Sequence, residues 1–319
     1  MNSPLQTIGL TGIVPVVAID DATHAVPLAR ALLAGGIPCI EITFRTAAAK
    51  DAMQQIAASV PDMLMGAGTV LTTEQADTAI SCGARYIVAP GLNRKVVEHC
   101  QKKGVPITPG VATPSDVEAA LELGLNIVKF FPAEPMGGLS YLNAIGAPYK
   151  GVKFIPTGGI DEGNLLSYLK SPRVFACGGS WMVKPELINA GRFDEITALS
   201  AKAVATMLGL HLAHVGINCG SAGDAADVAQ RLAGLLHIPP RETSSSHFAG
   251  NFVEFRKGPS RGTHGHIALG THFLDRAIAY FERQGVHVIS GTLEEQQGKP
   301  HVAYLDLDVA GFAVHLVTQ

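Results

Sequence analysis

The chain has 319 residues, 47% of them apolar, a net charge of −3, and 35 glycines against only 6% aromatics. That charge, with no basic run, excludes a general nucleic-acid binder, and no apolar stretch reaches the roughly 18 residues of a membrane span. What remains is a soluble α/β protein with many tight turns.

In chain order, "MNSPLQTIGL" has neither the basic start nor the apolar core of a signal peptide. The five cysteines (Cys39, Cys82, Cys100, Cys177, Cys219) show no CxxC and no regular spacing, so reduced thiols in a cytoplasmic protein are expected. From Gly12 to about Leu208 one rhythm repeats. The strand candidates are "IVPVVAI", "CIEITF", "LMGAGTV", "YIVAP", "VPITPG", "NIVKFFP", "VKFIPTGG" and "VFACGGS". Between them lie amphipathic stretches such as "AVPLARALLAGG", "NRKVVEHCQKKG" and "PSDVEAALELG", often closed by a glycine. Strands alternating with helices at a repeat of roughly 20 to 26 residues predict an α/β fold, a (β/α)8 TIM barrel. A doubly wound sheet usually has fewer strands in such alternation, and no GxGxxG follows the first strand.

After "ITALSAKAVATMLGL" the rhythm changes, which divides the chain into residues 1–207 and a smaller α+β domain, 208–319. There "HLAHVGINCG" reads as a strand, "AADVAQRLAGLLHI" as a helix and "SSSHFAGNFVEFRKG" as strand with a turn. The order then restarts with "THGHIALGT", the helix "FLDRAIAYFERQG", and the strands "VHVISGT" and "HVAYLDLDVAGFAVHLVTQ". This is an internal repeat of pattern, and histidines crowd the stretch from His247 to His315.

In a parallel barrel, functional side chains sit at the carboxyl ends of the strands. Period two places Glu41, Thr43 and Arg45 on one face, and Lys129 with Phe131 on one face. If these faces point inward, a carboxylate, a guanidinium and an amine converge at the mouth. Lys129 lies in an otherwise apolar strand, where an ammonium costs several kcal/mol unless it is paired or loses its proton. An amine kept from water is nucleophilic toward a ketone, and the iminium it forms is an electron sink for a neighbouring C–C bond. Glu41 is the natural general acid/base, and Arg45 has the fork that grips the carboxylate of a 2-keto acid. Taken singly, Lys129 also reads as a strand-end side chain reaching for water, and Glu41 with Arg45 as a structural ion pair. Two glycine pairs, Gly158–Gly159 after Thr157 and Gly178–Gly179 before Ser180, follow the last two strands, where exposed N–H groups suit a phosphate. Tight turns use such pairs too. Lys150, Lys153 and Lys184 near the last strands are expected to be solvated or phosphate-facing.

The segments "EITFRT", "GAGTV", "KFFPAE", "PTGGI" and "GGSWM" stand in the order and spacing of the bacterial 2-keto-3-deoxy-6-phosphogluconate (KDPG) aldolases. Residues 5 to 207 resemble that family, which includes enzymes acting on 4-hydroxy-2-oxoglutarate (KHG). The resemblance implies a class I aldolase, needing no metal or cofactor, that splits the sugar acid phosphate into pyruvate and glyceraldehyde 3-phosphate. It implies a homotrimer and a place in the Entner–Doudoroff route. It also implies that Lys129 forms the Schiff base, that Glu41 moves protons, and that Arg45 and Thr69 hold the pyruvate carboxylate with Phe131 beside the lysine. Gly158, Gly159, Gly179 and Ser180 would cradle the phosphate, with Thr157 among the substrate-binding residues. The configuration at C4 stays open, so the galactonate substrate is an alternative, as is KHG.

Residues 210 to 319 resemble the glyoxalase/dioxygenase (vicinal oxygen chelate) superfamily through "HVGINC", "NFVEFRKG", "GHIALGT" and "GFAVHLVTQ". That resemblance implies paired βαβββ modules and a divalent metal on His214, Glu254, His266 and His315, with water completing the sphere. The superfamily usually carries a carboxylate at the last of these positions; here it is His315. Histidines on half-buried strands are also ordinary core residues, and this domain could instead bind a small acid, regulate the barrel or mediate assembly. Two other readings of the barrel stand beside the aldolase. A non-catalytic sugar-acid-phosphate sensor would fit a defect in the Lys–Glu–Arg set, which is complete. A sugar phosphate isomerase or epimerase would not need a strand lysine followed by "FFPAE".

Overall fold

The computed structural model describes residues 3–296 and 298–318. The chain forms two compact units, one up to Met207 and one from Leu208. The first unit runs α1 (Pro4–Thr11), β1 (Ile13–Val17), α2 (Ala25–Ala34), β2 (Cys39–Thr43), α3 (Ala49–Ser59), β3 (Leu64–Gly68), α4 (Thr73–Ser81), β4 (Ile87–Val88), α5 (Arg94–Lys102), β5 (Ile107–Thr108), β6 (Gly110–Val111), α6 (Pro114–Glu122), β7 (Ile127–Phe130), α7 (Gly138–Gly146), β8 (Lys153–Pro156), α8 (Leu165–Leu169), β9 (Cys177–Gly179), α9 (Pro185–Asn189) and α10 (Phe193–Leu208).

Local chemistry sets these boundaries. Ser3 and Gln6 make a capping box at the start of α1, and Thr113 with Asp116 does the same for α6, each satisfying two orphan donors. Gly12 closes α1 in the left-handed region, where a side chain would be strained. Every residue of β1, β2 and β3 is buried, as expected of parallel strands covered on both faces.

Six strands pair in parallel in the order β5-β4-β3-β2-β1-β9, and three more as β6-β7-β8. Thr157, the residue after β8, bridges in parallel to Gly178 of β9. The predicted single strand "VPITPG" is broken into β5 and β6 at Pro109, which has no N–H to give to a ladder. The backbone there runs against another segment: a Cβ on Gly110 would stand 2.0 Å from the Pro90 carbonyl oxygen.

The second unit contains two runs of the same element order. They are β10 (His211–Asn218), α11 (Ala222–Leu236), β11 (Pro240–Glu242), β12 (Ser246–Ala249), β13 (Val253–Arg256), then β14 (Gly265–Thr271), α12 (Leu274–Arg283), β15 (Glu294–Gln296), β16 (Lys299–Val309), β17 (Phe312–Thr318). All eight strands form one sheet, β11-β12-β13-β10-β14-β17-β16-β15, with β10 and β14 antiparallel at its centre. The two runs also repeat in register. β13 lies parallel to β10 with Glu254 opposite Gly216, two residues past His214; β17 lies parallel to β14 with His315 opposite Ala268, two residues past His266. Ala225, Ala229 and Ala233, one per turn of α11, let that helix lie close on Ala249 and Phe255.

One expectation needs correction here. "VHVISGT" is not a strand: it makes one bridge, Val288 to Leu305, because the chain turns at Ile289–Thr292 before a ladder can extend. The short edge strand β11 was not foreseen. Gln319, the end of the predicted closing strand, lies outside the described residues. Among the described residues no helix is long and apolar enough to cross a membrane.

Candidate functional site

Lys129 on β7, the middle strand of the three-stranded sheet, and Glu41 on β2, an inner strand of the six-stranded sheet, meet in the first unit's interior. Lys129 Nζ lies 3.5 Å from Glu41 Oε1, with side chains only 5% and 4% exposed. Two buried charges lose hydration worth several kcal/mol each, and their attraction repays it only in good geometry. Glu41 Oε1 accepts no hydrogen bond from any described residue, so the pair is not locked as a tight bridge and a carboxylate lone pair remains for a proton.

The strand next to Glu41 is shaped around it. Gly66 and Gly68 share one face of β3; a Cβ on Gly68 would stand 2.1 Å from Glu41 Oε1, and one on Gly66 would overlap the Tyr86 ring. The ring of Tyr86 is fully buried and fixed by its hydroxyl, which donates to the Ile40 carbonyl at 2.9 Å. Phe131, past the end of β7, has its ring 5.3 Å from Lys129 Nζ and is joined to Pro132 by a cis peptide bond.

Arg45 departs from expectation. β2 ends at Thr43, whose Oγ1 donates to the Val17 carbonyl at 2.7 Å, and the chain then turns. The alternation that places Glu41 and Thr43 inside therefore stops before Arg45, which is exposed. Its Nε donates to Thr69 Oγ1 at 3.3 Å. Thr69 is a β-branched residue at φ 56°, a conformation costing about 1–3 kcal/mol outside glycine. Such strain is retained where a particular side chain is needed, and here it aims a hydroxyl at the Arg45 guanidinium.

The glycine pairs form a second group. Gly158 and Gly159 have φ 98° and 81°, open to glycine alone. The carbonyls of Thr157 and Gly158 accept from the N–H groups of Ala133 and Glu134, and the Gly159 carbonyl accepts from Asn164 Nδ2 at 2.9 Å. With three successive carbonyls tied down, the Gly158 and Gly159 N–H groups donate to no acceptor among the described residues. Thr157 Oγ1 fills the space above Gly178, where a Cβ would stand 2.4 Å away, and Gly179 lies against the ring of Trp181. Ser180 is exposed just beyond. Lys150, Lys153 and Lys184 are all exposed.

The second unit gathers all four residues expected as ligands on one face of its sheet. His214 Nε2 and His266 Nε2 lie 3.1 Å apart, and Glu254 Oε2 lies 3.3 Å from the first and 3.0 Å from the second. Ligand atoms of His214, His266 and His315 all fall within 4.8 Å of one another. Both ring nitrogens of His315 and Nδ1 of His266 are buried without a partner among the described residues. Burial, and then the neighbouring His266 and His214, push the His315 imidazole down to about 3. Burial alone would raise the Glu254 carboxyl, but bonds from His214, His266, Ser246 and Arg256 outweigh it and hold it well below the usual carboxylate range. Arg256 Nη1 reaches Glu254 Oε1 at 3.1 Å, and the Tyr304 ring stacks on His315 with centroids 4.7 Å apart.

His315 makes the unit acid-sensitive. Between pH 6.5 and 5 the unfolded chain takes up a proton at this imidazole that the folded chain refuses, so stability falls as the pH is lowered. In chelator-treated protein the expected loss is up to about 1.4 kcal/mol per pH unit. His315→Gln should flatten that slope; an unchanged slope in circular-dichroism melts would refute the assignment.

The family model for KDPG and KHG aldolase matches residues 6–199. A 2-dehydro-3-deoxy-phosphogluconate aldolase of Treponema pallidum is 52% identical over 192 residues, 60% of this chain and 91% of that protein. The KHG/KDPG aldolase of Escherichia coli K12 is 41% identical over 200 residues, 62% of this chain and 94% of that one. A KDPG aldolase from Legionella pneumophila, solved with pyruvate captured as a covalent carbinolamine, superposes with a TM-score of 0.62 at 40% identity, covering 63% of this chain and 98% of that one.

Proposed function

The chain belongs, through residues 6–199, to the KDPG and KHG aldolases, and on that premise we propose that Lys129 is its Schiff-base lysine and Glu41 its proton carrier. The protein is a class I aldolase that cleaves 2-dehydro-3-deoxy-6-phosphogluconate to pyruvate and glyceraldehyde 3-phosphate. The observation that carries the residue assignment is the 3.5 Å approach of Nζ to Oε1 between two almost fully buried side chains.

In that geometry Nζ adds to the C2 carbonyl, water leaves, and an iminium remains on Lys129. Glu41 accepts the proton of the C4 hydroxyl as the C3–C4 bond breaks. The bonding pair moves onto the iminium as an enamine, and glyceraldehyde 3-phosphate departs. A proton returned to C3 and hydrolysis of the iminium release pyruvate and restore the amine. Arg45, oriented by Thr69, holds the substrate carboxylate; Phe131 covers the lysine. The N–H groups of Gly158, Gly159 and Gly179 with the Ser180 hydroxyl take the phosphate, and Thr157 shapes the floor beneath them. Borohydride reduction with pyruvate, followed by peptide mass mapping, should place a pyruvate-derived adduct on Lys129. An adduct on another lysine would overturn the assignment; no adduct in a folded protein that still binds a sugar phosphate would favour the sensor.

The pairings support closure of the first unit as a (β/α)8 barrel, with Thr157–Gly178 joining one side and the chain through Pro109 the other. The same reading takes the enzyme as a cytoplasmic homotrimer of the Entner–Doudoroff route, with KHG as a further substrate and residues 1–207 as the aldolase domain. Residues 208–319 are read as a vicinal-oxygen-chelate-like domain, which makes the chain multifunctional.

A divalent metal is proposed on His214, Glu254, His266 and His315. The residues fit one. Donor atoms 3.0–3.3 Å apart have the spacing of adjacent ligands each about 2.0–2.2 Å from one ion. Both ring nitrogens of His315 are also buried with no partner among the described residues. An ion there would supply Lewis-acid chemistry toward a bound oxygen. Plasma mass spectrometry should find about one divalent ion per chain, lost from Glu254→Ala and His266→Ala while KDPG cleavage is unchanged. An equal metal content in the variants would remove the site.

A further inference from the structure

Beyond the residues that touch substrate, the segment after the lysine strand carries a carboxylate with a defined place. Glu134 follows Lys129 by five positions, and its N–H donates to the Gly158 carbonyl at 3.0 Å. Its side chain lies on Gly159, where a Cβ would meet Glu134 Cβ at 2.5 Å and Cγ at 2.6 Å. Its Oε1 accepts a short hydrogen bond from the Tyr168 hydroxyl. Tyr168 is 1% exposed on α8, the helix that follows the glycine pair, and burial together with the bond to Glu134 raises its phenol well above the ordinary tyrosine range. Gly138, at φ 63°, leaves room for both: a Cβ there would stand 3.0 Å from Glu134 Oε1 and 3.2 Å from the Tyr168 hydroxyl.

These contacts close a bracket around one loop. The segment 133–138 holds residues 157 and 158 by two backbone bonds, the Glu134 side chain covers Gly159, and the Glu134–Tyr168 bond ties that segment to α8. A paired-glycine loop is floppy in isolation, because each glycine is free in regions other residues avoid. We propose that Glu134 and Tyr168 are positioning residues that hold the Gly158 and Gly159 N–H groups on the phosphate and so set the preference for phosphorylated over unphosphorylated substrate. This rests on the reading of residues 157–159 as the phosphate loop. A negative carboxylate close to a bound dianion would repel it; the hydroxyl bond ties that charge to Tyr168 on α8.

The test uses the full chain with Tyr168→Phe, Glu134→Ala and the conservative Glu134→Gln. KM for KDPG should rise roughly tenfold in the first two with kcat within about twofold, because the lost interaction is with a remote binding group. Glu134→Gln, which keeps an acceptor for the tyrosine, should stay near wild type. Cleavage of KHG, which has no phosphate, should be unchanged in all three. Equal losses on both substrates would mark a merely structural role, and no change on either would remove the proposal. Calorimetry with sn-glycerol 3-phosphate separates the two levels of inference. Its Kd should rise about tenfold in Tyr168→Phe. A wild type that binds it and turns over nothing refutes the aldolase assignment while this comparison still decides the bracket. A wild type that does not bind it overturns the phosphate-loop reading and the bracket with it.

Discussion

Lys129→Ala should abolish KDPG cleavage, by at least about 10⁴-fold in kcat, since covalent catalysis has no substitute once the amine is gone. Lys129→Arg should be as inactive, because a guanidinium keeps its charge at neutral pH and cannot add to a carbonyl. Fold stability must be followed beside activity. Removing one member of a buried pair leaves the other charge stranded, at about 3–5 kcal/mol, and Glu41 is 3% exposed. Chemical restoration resolves the ambiguity. Lys129→Cys treated with 2-bromoethylamine regains an amine of nearly the same length, and measurable turnover should return with it. A stable Lys129→Ala protein that still cleaves KDPG would end the Schiff-base assignment.

Glu41→Gln, nearly isosteric and unable to take a proton, should lose about 10²–10⁴-fold in kcat. Gly68→Ala should reach a similar end through space alone. The new methyl would occupy a point 2.1 Å from Glu41 Oε1 and 2.8 Å from both Cδ and Cγ. Glu41 must swing aside or β3 must bend, and either separates the carboxylate from Nζ. Misplacing a catalytic group by an ångström costs about 10²-fold. The double variant decides between displacement and a general packing defect. If Gly68→Ala works by moving Glu41, its effect should largely vanish in the Glu41→Gln background, whereas independent defects add.

How far the sequence discloses this site differs from residue to residue. Lys129 and Glu41 are legible because a charge inside an apolar strand has few explanations, and period two is reliable within a strand. Arg45 shows where that reasoning ends. The alternation is a property of extended backbone, and the strand stops at Thr43, so the exposed Arg45 is placed by a turn and by Thr69. The break at Pro109 depends on the closeness of Pro90 to Gly110, a contact between distant segments that no local pattern records. Glu134 is visible only as a letter in "KFFPAE", in the turn after β7; its partner Tyr168 lies on α8, in a distant segment. The four donors of the second unit stand at no metal-ligand spacing in the chain. They were found through resemblance, and the structure gathers them on adjacent strands.

That second unit has a further consequence. An antiparallel pair such as β10 and β14 is its own image under a half-turn, and the registers on either side obey the same operation. It exchanges His214 with His266, and Glu254 with His315. One pair of the quartet, His214 and His266, respects this pseudo-dyad in chemical type, and the other, Glu254 and His315, breaks it, an imidazole standing opposite a carboxylate. The quartet therefore has a polarity: one flank carries a negative charge backed by Arg256, the other a neutral ring backed by Tyr304. Even a palindromic molecule laid across the dyad would meet two unlike ends, and a molecule with a single anionic end would have one orientation only that keeps that end away from Glu254.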